Sequence, residues 1–329
     1  MPYYPKKKTD VPEEAKQQAK AAEQRKKLLR LSLAVVSCLL IGYGGISLIR
    51  YYSDLAVSGQ TGAELRQISR PADPGTDSPL PGKEETVTPS PAPVPAAQEL
   101  PETEPPSPVS ETTDSLLPPV PYPDNPKSEI SARFLTLRKK SGYIVGWISF
   151  DQVDEAVVQK DNTFFLKHDA LGKRNSNGAI FLDEEIRLAS RRPYTLYLFG
   201  HNLKSGNMFG RLKKYKENAY FYRHRIITFD TMYEEGRYAV FAVMDMSTVP
   251  GTGLWYDLWS LNTDSVTARE KAIRTLESRS AIRSMLDVQA DDQLLLLITC
   301  LDGETERLVV AARRLRDGET ADRLMLRLD

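Results

Sequence analysis

The sequence predicts a mainly β domain carried behind a single membrane-spanning helix, and three observations predict it. Nineteen consecutive residues, Leu31 to Ile49, carry no charge, about enough helix to cross a hydrocarbon layer of roughly 30 Å. Residues 71–126 hold seventeen of the 22 prolines. Beyond residue 127, short runs rich in Val, Ile, Leu, Tyr and Phe recur between Gly, Asn and Asp clusters with few helical stretches among them, a pattern that favours a barrel or sandwich over alternating βαβ units.

The zero net charge of the 329 residues is a cancellation between unlike segments: +5 over residues 1–30, +1 over 31–70, −9 over 71–126 and +3 over 127–329. No long basic face and no nucleic-acid fold signature survives in the C-terminal part, which argues against nucleic-acid binding. Two cysteines exclude a disulfide-stapled scaffold.

Residues 1–30 read as a solvated basic cytoplasmic tail. Lys26, Lys27 and Arg30 immediately precede the apolar run, so the positive-inside rule keeps them in the cytoplasm and places residues 50–329 outside. The span 31–49 is longer than the usual apolar core of a cleaved signal peptide, and no small-x-small cleavage site closely follows it, so it reads as a retained anchor. Residues 50–126 read as an extracellular, Pro-rich acidic linker. Its stretch 71–126, if extended as polyproline II at about 3.1 Å per residue, reaches on the order of 170 Å.

The folded domain is expected over 127–329. Ser128 to Lys140 offers an N-cap serine and apolar residues at Ile130, Phe134 and Leu137, which predicts a short amphipathic helix. Strands are expected at 143–150, 195–199, 225–229, 237–246, 293–300 and 307–315. The stretch 267–286 has apolar residues near helical spacing with charges between them, which inserts a helix between two late strands.

Cys38 lies in the span, so Cys300 is the only thiol of the exported domain. It ends an apolar strand (LLLLITC) before a polar turn, and is either a small buried hydrophobe or a nucleophile. Arg307 opens the next apolar run, and a hairpin would bring it to the same sheet end. His201 also follows a strand (YTLYLFG) and precedes a Gly-containing turn; His168 and His224 are the alternatives. A thiol with a free pKa near 8.5 needs a positive neighbour to hold a useful thiolate fraction, and His and Arg supply one. No Gly-x-Ser-x-Gly elbow, Walker loop, His-Glu-x-x-His or EF-hand loop occurs.

The segments IVGWISF (144–150), DNTFFLKHDALGKRNSNGAIFLD (161–183), YLFGHNLKSGNMFGRLKKY (197–215) and LITCLDGETERLVVAARRL (297–315) closely resemble the class B sortases, membrane-anchored cysteine transpeptidases of Gram-positive bacteria. The resemblance implies an eight-stranded β-barrel and a catalytic set of His201, Cys300 and Arg307. It implies cleavage after the threonine of a C-terminal sorting motif on a secreted protein, a thioacyl enzyme on Cys300, and transfer to an amine of a peptidoglycan precursor or a pilin lysine, without metal or organic cofactor. Asn162, Leu166 and Thr299 match substrate-groove positions, and 247–266 would form the loop over the groove. Ile298 and Leu301 depart from the polar residues some members carry beside the cysteine. A thiol hydrolase of sorting-like motifs, and a catalytically silent membrane-tethered binding module, are the competing readings.

Overall fold

A computed structural model describes residues 13–70, 115–189, 191–301, 305–320 and 324. The chain divides into two compact units, residues 1–57 and 58–329. The first unit contains most of one long helix, α1 (Glu13–Ser69). The apolar side chains of residues 31–49, among them Leu33, Val36, Leu40 and Ile41, are exposed. This is the one helix among the described residues long and apolar enough to cross a membrane. The final stretch of α1, from Ser58, belongs to the second unit.

The second unit is a closed barrel of eight strands: β1 (Ile144–Phe150), β2 (Val153–Val158), β3 (Ile180–Leu182), β4 (Thr195–Phe199), β5 (Ile226–Thr231), β6 (Arg237–Ser247), β7 (Leu294–Cys300) and β8 (Glu306–Arg314). Around the barrel the order is β1-β2-β3-β4-β7-β8-β6-β5. The β2–β3 and β4–β7 pairs are parallel and the others antiparallel. Closure leaves no sheet edge, which suits a fold dominated by long-range strand pairing. Strand β7 is buried on both faces up to Thr299, so its LLLLIT run is continuous rather than alternating.

Besides the end of α1, three α-helices belong to this unit among the described residues: α2 (Ala132–Lys140), α3 (Asn218–His224) and α4 (Val266–Ser278). Helix α2 starts three residues later than the Ser128 cap predicts, with Ser131 at the cap position. Ser128 sits instead at φ +51, its N–H donating to the Asn125 carbonyl at 2.9 Å. Helix α4 begins at its Ser265 cap, whose hydroxyl accepts from the Ala268 N–H, but stops at Ser278 rather than reaching 286. Beyond the end of the β5 pairing, the Val243 N–H donates to the Ser280 hydroxyl at 3.0 Å, and the Ala281 N–H donates to the Val243 carbonyl at 2.7 Å. Satisfying β6 therefore competes with a further helical turn.

Two strands had no sequence expectation. Strand β2 (VDEAVV) carries acids that strands disfavour, and it forms because Asp151 at φ +48 turns the chain back onto β1. Strand β3 has three residues, too few for a period to register.

The expected linker 50–126 needs correction at both ends, while residues 71–114 lie outside the described residues, as do residues 1–12 of the expected tail. Residues 50–69 are helical. Residues 115–126 lie against the barrel: Leu117 and Tyr122 are buried, the Tyr122 hydroxyl donates to the Leu188 carbonyl at 2.7 Å, and the Val266 N–H donates to the Ser115 carbonyl at 3.0 Å. Average composition, weighted by proline, hides the few large apolar residues that fix this stretch to a surface.

A small second core sits on the outside of the barrel. Leu65 of α1, Phe134 and Leu137 of α2, Ile144 and Trp147 of β1, Ala156 and Val158 of β2, and Phe165, Ala179 and Phe181 bury one another there. Phe165 and Phe181 lead from this core to the site.

Candidate active site

Parallel pairing of β4 with β7 sets the site's geometry. Phe199 pairs with Ile298, so the residues two further along each strand, His201 and Cys300, leave the same end of the sheet. Antiparallel pairing of β7 with β8 places Cys300 opposite Arg307. Three separate strand ends thus deliver an imidazole, a thiol and a guanidinium to one place. All three line a single cavity of about 260 Å³, together with Asn162, Leu166, Phe181, Phe199, Gly200, Ile298 and Thr299. Cys300 is a free, exposed thiol, contrary to the reading of it as a buried hydrophobe.

His201 is held by its backbone and by its ring. The Phe209 N–H donates to its carbonyl at 3.0 Å, and its Nε2 lies 2.8 Å from the Leu166 carbonyl oxygen. A carbonyl only accepts, so Nε2 carries the proton in this contact and Nδ1 is left as the basic nitrogen of the neutral ring. The Leu166 carbonyl is itself placed by a single 3-10 turn, Phe164–Leu166, where Asp161 Oδ1 accepts from the Thr163 and Phe164 N–H groups at 3.1 and 2.8 Å.

Gly178, a residue sequence reasoning passed over, makes this approach possible. It sits at φ +64, and a Cβ there would lie 2.4 Å from the Phe165 carbonyl oxygen, 3.0 Å from His201 Cδ2 and 3.2 Å from the Leu166 carbonyl oxygen. The signal was present in the NSNG run, an Asn-Gly turn. The Gly178 N–H donates to the Asn175 carbonyl at 3.2 Å.

Two of the expected groove residues turn out to brace the wall they line. Thr299 is 3% exposed, and its hydroxyl donates to the Gly200 carbonyl at 2.7 Å, tying β7 to the His201 turn. Asn162 Nδ2 donates to Asp183 Oδ2 at 2.9 Å, and its Oδ1 accepts from the Glu184 N–H at 3.0 Å. Leu166 presents a half-exposed apolar side chain. Phe181 and Phe199 stack at 5.5 Å and supply the apolar floor with Ile298. Arg307 Nη1 donates to the Glu306 carbonyl at 2.9 Å.

The other two histidines stand elsewhere. His168 stacks on Phe164 at 3.9 Å with its Nδ1 2.7 Å from the Phe164 carbonyl. His224 packs on Tyr220 and lies 3.9 Å from Asp151. The segment 247–266 contributes no residue to the cavity lining. The Thr248 N–H donates to the Thr305 carbonyl at 2.9 Å, between β7 and β8. The segment then runs down the barrel, where the Tyr197 hydroxyl donates to the Leu258 carbonyl at 2.8 Å and Trp259 packs on the Tyr197 ring.

An exposed thiol beside an imidazole and a guanidinium, over an apolar floor, can take an acyl group from an extended peptide and stabilise the oxyanion that forms. A profile of the sortase domain matches residues 149–315. Sortase B of Listeria monocytogenes is 25% identical over 197 residues, spanning 57% of this chain and 76% of that protein. Sortase B of Staphylococcus aureus is 27% identical over 193 residues, with the same two shares. The crystal structure of sortase B from Bacillus anthracis in complex with AAEK1 is 30% identical, covers 58% of this chain and 87% of that one, and superposes with a TM-score of 0.50. Together with the closed eight-stranded barrel, these matches establish that this protein belongs to the sortase family, as a class B sortase.

Proposed function

We propose that the protein cleaves a C-terminal sorting motif of secreted proteins after its threonine and transfers the acyl group to an amine. The observation that carries this reading is the shared cavity of His201, Cys300 and Arg307. The Cys300 thiolate attacks the threonine carbonyl carbon, forming a C–S bond while the carbonyl becomes an oxyanion. The Arg307 guanidinium faces that developing charge, a kind of preorganised electrostatic help often among the largest catalytic terms. The oxyanion collapses, the C–N bond breaks, and the leaving amine takes a proton from His201. An incoming amine then attacks the thioester and gives its proton to His201. The C–S bond breaks, an amide forms and the thiolate returns. Leu166, Phe181, Phe199 and Ile298 would hold the apolar part of the motif.

By the positive-inside rule the N-terminus is cytoplasmic and the barrel faces the cell wall, where the acceptor would be an amine of a peptidoglycan precursor or a pilin lysine. The test uses the full chain in detergent micelles with peptides of the Asn-Pro-x-Thr-x and Leu-Pro-x-Thr-Gly types, with and without an amine acceptor. Mass spectrometry should show a Cys300 acyl adduct and an amide product, both lost in Cys300→Ser. His201→Ala and Arg307→Ala should each lower turnover by roughly a hundredfold or more while thermal unfolding stays unchanged. Release of free acid alone would identify a hydrolase; no adduct with any peptide would sink the proposal.

A further inference from the structure

The end of α1 that belongs to the barrel unit is bound to it along its length. Leu65 is 2% exposed and packs into the outer core, with Ile68 one turn on against the same cluster. Arg66 Nη1 donates to the Asp154 carbonyl at 3.1 Å and pairs with Glu155 at 3.3 Å. Arg70 pairs with Asp154 at 3.2 Å, Lys140 with Glu64 at 2.8 Å, and Arg133 Nε donates to the Ser69 hydroxyl at 2.9 Å. At the other end of the stretch, Asn177 Nδ2 donates to the Ser58 hydroxyl at 3.3 Å. Exposed ion pairs alone hold little. A buried leucine inside a ring of directional bonds holds much more, because undocking it returns Leu65 and the faces of Ala156 and Ala179 to water.

Residues 70 and 115, the described residues on either side of the Pro-rich segment, therefore both belong to the barrel unit. The tether from the apolar run to that body is residues 50–57, which even fully extended span at most about 29 Å. The reach of 170 Å expected of a spacer does not apply while residues 58–69 stay docked.

We infer that the docked segment Ser58–Ser69, not the Pro-rich segment, tethers the catalytic barrel to its membrane anchor, and that it also buttresses the site. The outer core that Leu65 completes contains Phe165 and Ala179, which flank Gly178 and the Leu166 carbonyl that orients His201. The docking is independent of the reaction the site performs.

The experiment is a cut in the covalent linker. A site-specific protease sequence is placed within residues 71–114 of the full chain, the protein is reconstituted in phosphatidylglycerol/phosphatidylcholine vesicles, cleaved, and pelleted. The barrel fragment should stay with the vesicles. In Leu65→Asp it should leave at least about tenfold faster, as expected for the loss of a buried leucine. Arg66→Glu, at a partly exposed position, gives the same readout should Leu65→Asp fail to fold. The released fragment is checked by circular dichroism and by Cys300 labelling with a methanethiosulfonate, which should slow or lose its pH dependence as His201 loosens. Wild-type barrel appearing in the supernatant upon cleavage, or variants retained as firmly as wild type, would overturn the inference.

Discussion

Cys300, His201 and Arg307 meet because a parallel and an antiparallel register share strand β7. Their arrangement depends on smaller parts. The Leu166 carbonyl selects which imidazole nitrogen carries the proton, and Gly178 makes room for that contact. Gly178→Ala brings a methyl group to within 2.4 Å of the Phe165 carbonyl oxygen at a positive φ, so the 3-10 turn and the imidazole must shift. A displacement of this order costs about a hundredfold in rate when it separates reacting groups. The expected outcome is a kcat lowered by roughly ten- to a hundredfold, with KM for peptide changed little and Cys300 still open to alkylation. Steady-state kinetics beside thiol labelling checks it. The chemistry-bearing residue types were legible in the sequence because each stood at a strand end before a polar turn. Gly178 was legible only as part of an Asn-Gly turn, since only the folded chain reveals what a side chain there would strike.

At the scale of the element, the docked end of α1 has a built-in pH dependence. Burial on β2 beside the end of α1 pushes the Glu155 carboxyl up to about 7, with Asp154 adding to the rise, against the opposing pull of Arg66. The charged groups around it are Arg66 of α1, Arg70 just beyond the end of α1, and Asp154 of its own strand. The side chain keeps 28% of its surface in water, which moderates the effect through screening. A carboxyl raised above its unfolded value favours the state that holds the proton. Its contribution to docking is thus fully present below about pH 4.5, is lost as pH rises through about 7, and is flat above. In the cleaved-linker assay, retention of the barrel should be firmer at pH 5 than at pH 8, and Glu155→Gln should flatten the difference. An unchanged slope in Glu155→Gln would assign the dependence to another group. Elements were unevenly legible in sequence. Strands β1, β4, β6, β7 and β8 carry long apolar runs, whereas β2 is acidic and β3 is short, and both exist only through their partners.

Across the whole molecule, one buried cation joins the parts remote from the site. Arg269 is fully buried, and burial lowers its pKa to about 10, leaving it charged at neutral pH. It donates to the carbonyls of Tyr194, Leu261, Ala290 and Asp292 and to the Thr195 hydroxyl. These acceptors belong to the start of β4, the turn before α4 and the approach to β7, so one guanidinium closes the barrel end opposite Cys300. Arg269→Met removes a charged donor from each of these buried acceptors, of which the Tyr194 carbonyl keeps the Leu294 N–H and the Leu261 carbonyl keeps the Thr195 hydroxyl, at a cost of roughly 3 kcal/mol or more, or about 10 °C in Tm for a domain of this size. Calorimetry should show that loss, while kcat at a temperature where the variant is folded should stay close to wild type.

The sequence by itself determined what local chemistry can determine. An uncharged run of membrane length, basic residues before it, a β-rich domain, and a thiol, an imidazole and a guanidinium at strand ends all follow from residue type and spacing along the chain. The tertiary structure alone decided what touches what. Leu65, Leu117 and Tyr122 are single apolar residues amid polar or Pro-rich sequence, and a lone apolar residue has no period to read. Its fate depends on whether a distant surface is shaped to receive it, and that surface forms only once the barrel has closed.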